Sequence, residues 1–330
     1  MKISPITKKL LWIVARMVLL LTLTSVFAFL LIISAPIDPV TAYIGPESTL
    51  SAEAIAEIEE QWGLNQSPIA RYFIWMGNVL QGDLGTSISY KRPVIDLIAE
   101  RIMYSFVLMG FAWSLSGALG FATGIAAGLR RGSLFDRTIK TVCLILQSSP
   151  VFWIGLLVLS LFAVSLGWFP LGMAVPMGVP ADEVTLLHRV HHLILPLITL
   201  TIVSMGKITL FTRQKLIEVM DSDFITFARA RGLTQAQIVR RHAWRSVALP
   251  ALTLQFASFA ELFGGMALAE TVFSYPGIGS ATTAAALNGD VPLLLGIVLI
   301  TVIFVFFGNL IANLLYGVID PRLREEGSSA

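Results

Sequence analysis

The stretch that decides the architecture is LLWIVARMVLLLTLTSVFAFLLIISA, Leu10 to Ala35. It is apolar for longer than the roughly 20 residues a helix needs to cross a bilayer core about 30 Å thick. Lys8 and Lys9 stand in front of it, and its one charge, Arg16, lies near enough to the start to reach back to the headgroups. A cleaved signal peptide has an apolar region of about 7–15 residues closed by a small-residue cleavage site. This run exceeds that length and lacks the site, so it reads as a retained first helix.

Five further apolar runs follow, at Tyr104–Leu129, Ile139–Leu166, Leu193–Leu210, Val247–Ala269 and Leu293–Tyr316. Pro150, Pro196 and Pro250 lie in or at the ends of these runs, where neighbouring helices and hydroxyl groups such as Ser148 and Ser149 can satisfy the freed backbone. The whole composition agrees. Of 330 residues, 55% are hydrophobic and only 13% charged, against about 25% charged in soluble domains. That excludes a cytosolic enzyme, a disordered chain and a free-standing nucleic-acid binder. The single cysteine, Cys143, excludes a disulfide framework and a cysteine-based metal cluster. The expectation is an all-α membrane protein with six transmembrane helices.

Basic residues at helix ends set the orientation. Threading the six runs puts 17 Lys and Arg on one face and 5 on the other, with Arg16 inside the first run. Both termini are therefore expected to be cytoplasmic. The net charge of +2 hides two polarised faces, because the acidic residues are mostly on the side poor in basic ones.

Residues 36–103 form a long external segment with the composition of a small folded cap. Ser51 can cap a short helix running to Trp62, with Ala52, Ile55 and Ile58 on one face and Glu53, Glu57, Glu59 and Glu60 on the other. That helix reads either as an amphipathic element on the bundle or membrane surface, or as a dock for an external partner. In the second run Ser116, Gly120, Gly124 and Gly128 recur every fourth residue, a stripe that permits close helix packing in lipid.

Residues 207–246 form the largest cytoplasmic loop. The part DSDFITFARARGLTQAQIVRRHAWRSVALP, Asp221 to Pro250, spells two short helices: Phe224–Arg231, stopped by Gly232, and Gln235–Trp244, capped by Thr234. Its arginines and aromatics suit either a surface gripped by another protein or an interfacial lipid anchor.

This loop also resembles the cytoplasmic signature of the permease subunits of binding-protein-dependent ABC importers, in the form used by the dipeptide/oligopeptide/nickel class. The matching positions are Phe224, Ala228, Arg229, Ala230, Arg231, Gly232, Leu233, His242, Arg245 and Pro250. Thr226-Phe227-Ala228 stand where the general signature has Glu-Ala-Ala. Gly82-Asp83-Leu84-Gly85-Thr86-Ser87 with Arg92-Pro93-Val94, and Ser149-Pro150-x-Phe152, resemble further elements of that class. So do Trp168-Phe169-Pro170 with Gly172, Glu270-x-x-Phe273 with Pro276-Gly277-Ile278-Gly279 and Asp290, and Asp320-Pro321-Arg322.

The resemblance implies a single type I importer permease domain over 1–330. It implies half of a translocation pathway completed by a second homologous permease, with two ATPase subunits and an external solute-binding protein as partners. Phe224, Thr226, Phe227, Ala228, Arg229, Ala230, Arg231, Gly232, His242 and Arg245 would form the surface that meets an ATPase. ATP and Mg would then belong to the partner ATPases and no cofactor to this chain, which has no phosphate-binding loop: Thr201 stands where the first glycine before Gly206-Lys207 is needed.

Glu261 and Glu270, the acids within or at the end of a span, are candidates for a pathway or gate, with Gly264 and Gly265 letting another backbone come close. His188, His191 and His192 could hold a transition metal or be ordinary interfacial residues. Di- or oligopeptides, nickel and metal chelates remain open as solutes, with the Glu-Gly-Gly pattern leaning toward metal. A secondary transporter or channel not coupled to ATP is the alternative from another class, although it would usually carry internal repeats or more buried charge.

Overall fold

The computed structural model describes residues 5–34, 40, 51, 53, 55 and 65–319. The chain divides into two compact units, Met1–Tyr104 with Gly277–Phe307, and Ser105–Pro276 with Gly308–Ala330. Among the described residues, four helices are long and apolar enough to cross a membrane, or six if each of two bent pairs forms one span.

The first unit holds α1 (Pro5–Ser34), α2 (Pro68–Leu80), the start of α3 (Val94–Leu129), α11 (Ile278–Leu287) and most of α12 (Val291–Ile319). Ser67 caps α2 through Ala70 N, with Pro68 at the first helical position, where its missing N–H costs nothing. Tyr72 ties α2 to α1, edge-on to the Phe29 ring and 2.8 Å from the Ser25 hydroxyl. The core forms where Leu84, Val94, Leu97 and Ile98 meet Ile278, Ala281, Leu293 and Ile297.

A buried carboxylate organises this unit. Asp290 accepts hydrogen bonds from Ser87 Oγ at 2.5 Å, Ser89 N at 2.9 Å and Leu293 N at 3.2 Å. It thus caps α12 and pins the Gly82–Ser87 turn with one side chain. Most of the predicted Ser51–Trp62 helix lies outside the described residues; within them, Ile55 N donates to Ser51 O at 3.1 Å.

The second unit holds the rest of α3 and α4 (Leu134–Ser148), then α5 (Val151–Leu159), which runs into a widened π-helical turn, Ser160–Ser165. Next come α6 (Leu186–Met220), α7 (Asp223–Ala230) and α8 (Gln235–Ile238). A π turn, Val239–Ala243, leads into α9 (Trp244–Ala257), and α10 is Phe259–Val272.

Three sequence-read spans are corrected here. Ile139–Leu166 is two helices bent by 110° at Ser149-Pro150. Proline cannot donate and forces the preceding residue out of the helical region; the Ser148 and Ser149 hydroxyls fold back onto the Leu144 and Ile145 carbonyls. Val247–Ala269 is likewise bent by 52°, at Ser258. The loop expected from Lys207 begins as helix, because α6 continues to Met220. Its 35 residues reach roughly 52 Å at about 1.5 Å each, well beyond the bilayer core. The charges after Lys207 interleave with buried Thr209, Thr212, Leu216 and Met220, an amphipathic pattern that a hydropathy window ends too early.

The small-residue stripe of α3 lies directly on α6. A methyl group at Gly124 would sit 2.6 Å from Thr212 Cβ and 2.7 Å from the Thr209 carbonyl, and one at Gly120 would sit 2.9 Å from the Met205 carbonyl. Only glycine permits that approach.

Candidate functional site

The α7 loop is built from its buried side outward. Ile225 and Ala228, three residues apart on one face, are buried against Leu216, Val219, Met220, Ile238, Ala243 and Val247. This turns Phe224, Thr226, Phe227, Arg229, Ala230 and Arg231 to the exterior, with Phe227 68% exposed. Arg229 also donates to the Met220 carbonyl at 3.4 Å, spanning the turn between α6 and α7. Gly232 has φ +79°, a left-handed conformation that suits glycine and ends α7. Thr234 and Gln237 then cap α8 reciprocally. His242 and Arg245 are exposed beyond it. Ala228 is the one predicted surface residue that faces inward.

Two ion pairs brace the base of this loop. Arg213 on α6 forks onto Asp136 in the first turn of α4, donating from Nε to Oδ1 and from Nη2 to Oδ2, the latter at 2.8 Å. Gly132 N adds a hydrogen bond to Asp136 Oδ2. The Asp136 and Arg213 side chains are only 3% and 15% exposed. Arg131 pairs with Asp221 on the exterior at 2.8 Å. Neither pairing is legible in the sequence, because the partners lie far apart in the chain and share no local motif.

The intramembrane acids separate. Glu270 is fully buried and accepts from Ser105 Oγ at 2.6 Å, while its backbone carbonyl accepts from Tyr275 N. Glu261 instead stays exposed and meets Lys207 Nζ at 2.7 Å. Lys207, expected at the start of the loop, lies within α6. Beside this pair is a cavity of about 230 Å³, lined by Trp113, Gln147, Ser204 and Gln255 among others. No backbone comes close at Gly264, whose missing side chain faces open space, and Gly265 meets only side chains, Val151 and Leu200. A very close backbone approach lies instead at Gly172, where a methyl group would be 2.2 Å from the Phe273 carbonyl.

Two of the three histidines serve that same turn, and the third caps α6. His192 Nδ1 meets the Gly172 carbonyl at 2.8 Å, His191 Nε2 meets the Trp168 carbonyl at 3.0 Å, and His188 completes the Thr185 cap of α6. Among the described residues, no three His, Cys, Asp or Glu side chains come together as a metal site would require.

Residues 120–325 match the family model of the inner membrane component of binding-protein-dependent transport systems. The chain belongs to that family. Residues 7–109 match the companion N-terminal model. The permease is 33% identical to the oligopeptide transport system permease protein AppB of Bacillus subtilis, covering 91% of this chain and 93% of that one. It is also 33% identical to the di/tripeptide transport system permease protein DppB of Pseudomonas aeruginosa, covering 92% and 94%.

In fold it is similar to a chain of the inward-facing MetNI methionine ABC transporter, with a TM-score of 0.55, 16% identity and 68% and 96% coverage. The permease is therefore a multi-pass inner membrane subunit of a binding-protein-dependent ABC importer, and ATP hydrolysis belongs to a separate subunit. This membership sets aside an uncoupled secondary transporter or channel.

Proposed function

We propose that this permease imports short peptides, handed over by an external binding protein, through a pathway it forms with a second, homologous permease. The observation that carries the peptide reading is likeness along more than nine-tenths of the chain to permeases named for oligopeptides and for di/tripeptides. A bare metal cation is disfavoured by charge at Glu261, because a lysine ammonium sits 2.7 Å from that carboxylate. The topology has both termini in the cytoplasm, where two ATPases bind, in keeping with the 17:5 distribution of basic residues.

In this reading α7 is the coupling helix. Its exposed face of Phe224, Phe227 and Arg231 enters an ATPase, while Ile225 and Ala228 transmit the ATPase's movement to α6 and α9 through packed side chains. Rigid-body tilting of packed helices needs such a stiff lever. The Lys207–Glu261 face lines the pathway: a mid-span carboxylate that is 69% exposed is poorly tolerated in lipid and suits a water-filled cavity.

The test is peptide uptake by the assembled importer in liposomes, driven by ATP. Arg229→Glu is expected to leave the permease folded and to reduce binding-protein-stimulated peptide uptake at least ~10-fold, a loss of about 1.4 kcal/mol of coupling. Unchanged transport by that variant would remove α7 from the coupling role.

A further inference from the structure

The Lys207–Glu261 pair joins two largely apolar helices in an open setting. Its side chains are 44% and 69% exposed, and it lies at the edge of the roughly 230 Å³ cavity. That volume suits about seven waters at roughly 30 Å³ each, or one small end-group with its adjoining backbone. Gln255 forms part of the cavity wall and is held from behind. Gln255 is 5% exposed, and its orientation is set because Nε2 donates to the Trp113 carbonyl at 2.6 Å while Trp113 Nε1 donates to the Gln255 carbonyl at 3.0 Å. Its Oε1 is buried with no partner among the described residues. A buried acceptor left unmatched costs free energy until a donor reaches it.

We propose that this cluster is an exchange subsite for the charged ends of a short peptide. It rests on the peptide reading above and names what the pathway recognises. A peptide ammonium replaces Lys207 at Glu261, and a peptide carboxylate replaces Glu261 at Lys207. The exchange swaps two charge-assisted contacts for two others, so neither protein charge is left without a partner. A solute with only one charge leaves one partner stranded. A free cation meets Lys207 and a free anion meets Glu261, so both are disfavoured. The site therefore favours a dipolar solute of zero net end-group charge.

The experiment uses the complete importer in liposomes with its binding protein, and radiolabelled alanylalanine, N-acetyl-alanylalanine and alanylalanine amide as probes. Binding-protein affinity for each probe is measured by calorimetry, and concentrations are set for equal occupancy, so that selection by the binding protein drops out. Wild type is expected to take up alanylalanine at least ~10-fold faster than either blocked form, the scale of one lost charged hydrogen bond. Glu261→Gln should narrow the penalty on the N-acetyl form alone, and Lys207→Met the penalty on the amide alone. Complex assembly is checked by size-exclusion chromatography.

A merely structural ion pair would lower all three rates together and leave their ratios unchanged, which would overturn the subsite. Equal wild-type rates for all three probes would overturn it as well. If the wild-type importer takes up no alanylalanine while its loaded binding protein still stimulates ATP hydrolysis, the peptide reading itself falls, and the subsite with it.

Discussion

Two ion pairs tie helix α6 to other helices less than two turns apart, and they differ in kind. Arg213 forks onto Asp136 with both side chains nearly sealed, whereas Lys207 meets Glu261 with both side chains open. The sealed pair has two guanidinium contacts and a backbone N–H from Gly132, so its charges are fully matched inside the protein. The open pair has one contact and a neighbouring cavity. Opposite charges on facing helices therefore do not define a role. Solvent access decides whether the pair is a brace or an exchangeable contact.

The largest expected effect tests the sealed pair. Arg213→Ala strands the Asp136 carboxylate and should cost about 3–5 kcal/mol, read as a fall in the unfolding midpoint of the purified permease or as loss of folded protein. A smaller loss, about 1–3 kcal/mol by the same measurement, is expected for Gly124→Ala, since its methyl group must displace Thr212 and the Thr209 carbonyl. Gly232→Ala should cost about 1 kcal/mol, because the turn after α7 holds φ at +79° while the space around it is open. The smallest effect is predicted for Lys207→Met, within about 1 kcal/mol of wild type, as for exposed ion pairs generally. If Lys207→Met destabilised the permease as much as Arg213→Ala, the distinction between brace and exchangeable contact would collapse.

The motifs that carry the family resemblance turn out to be largely structural. Ser87 of the Gly82–Ser87 stretch bonds Asp290, about two hundred residues away, and Gly172 lies against Phe273 of the Glu270-x-x-Phe273 stretch. These motifs were legible individually as sequence, but not as partners, because nothing local says that distant segments meet. The α7 loop was legible further, since caps, Gly232 and the Ile225/Ala228 spacing act within a few residues. Lys207 was misassigned to a loop for a related reason: a charge inside a long amphipathic helix looks like an end when only hydropathy is followed. Gln255, Asp136 and Arg213 carried no signal, as each depends on a partner from another helix.

Composition and the length of apolar runs determined by themselves that this is an all-helical membrane protein with several spans, because the bilayer admits few backbone solutions and sets the length of each. Motif order pointed to the family. Tertiary structure alone decided that Pro150 breaks a span, that the glycine stripe of α3 rests on α6, that Glu270 is sealed and that Glu261 is open. The two acids are nine positions apart in one apolar stretch, and hydropathy treats them alike. Their difference comes from what packs against each one, and that packing is set by helices remote in the chain.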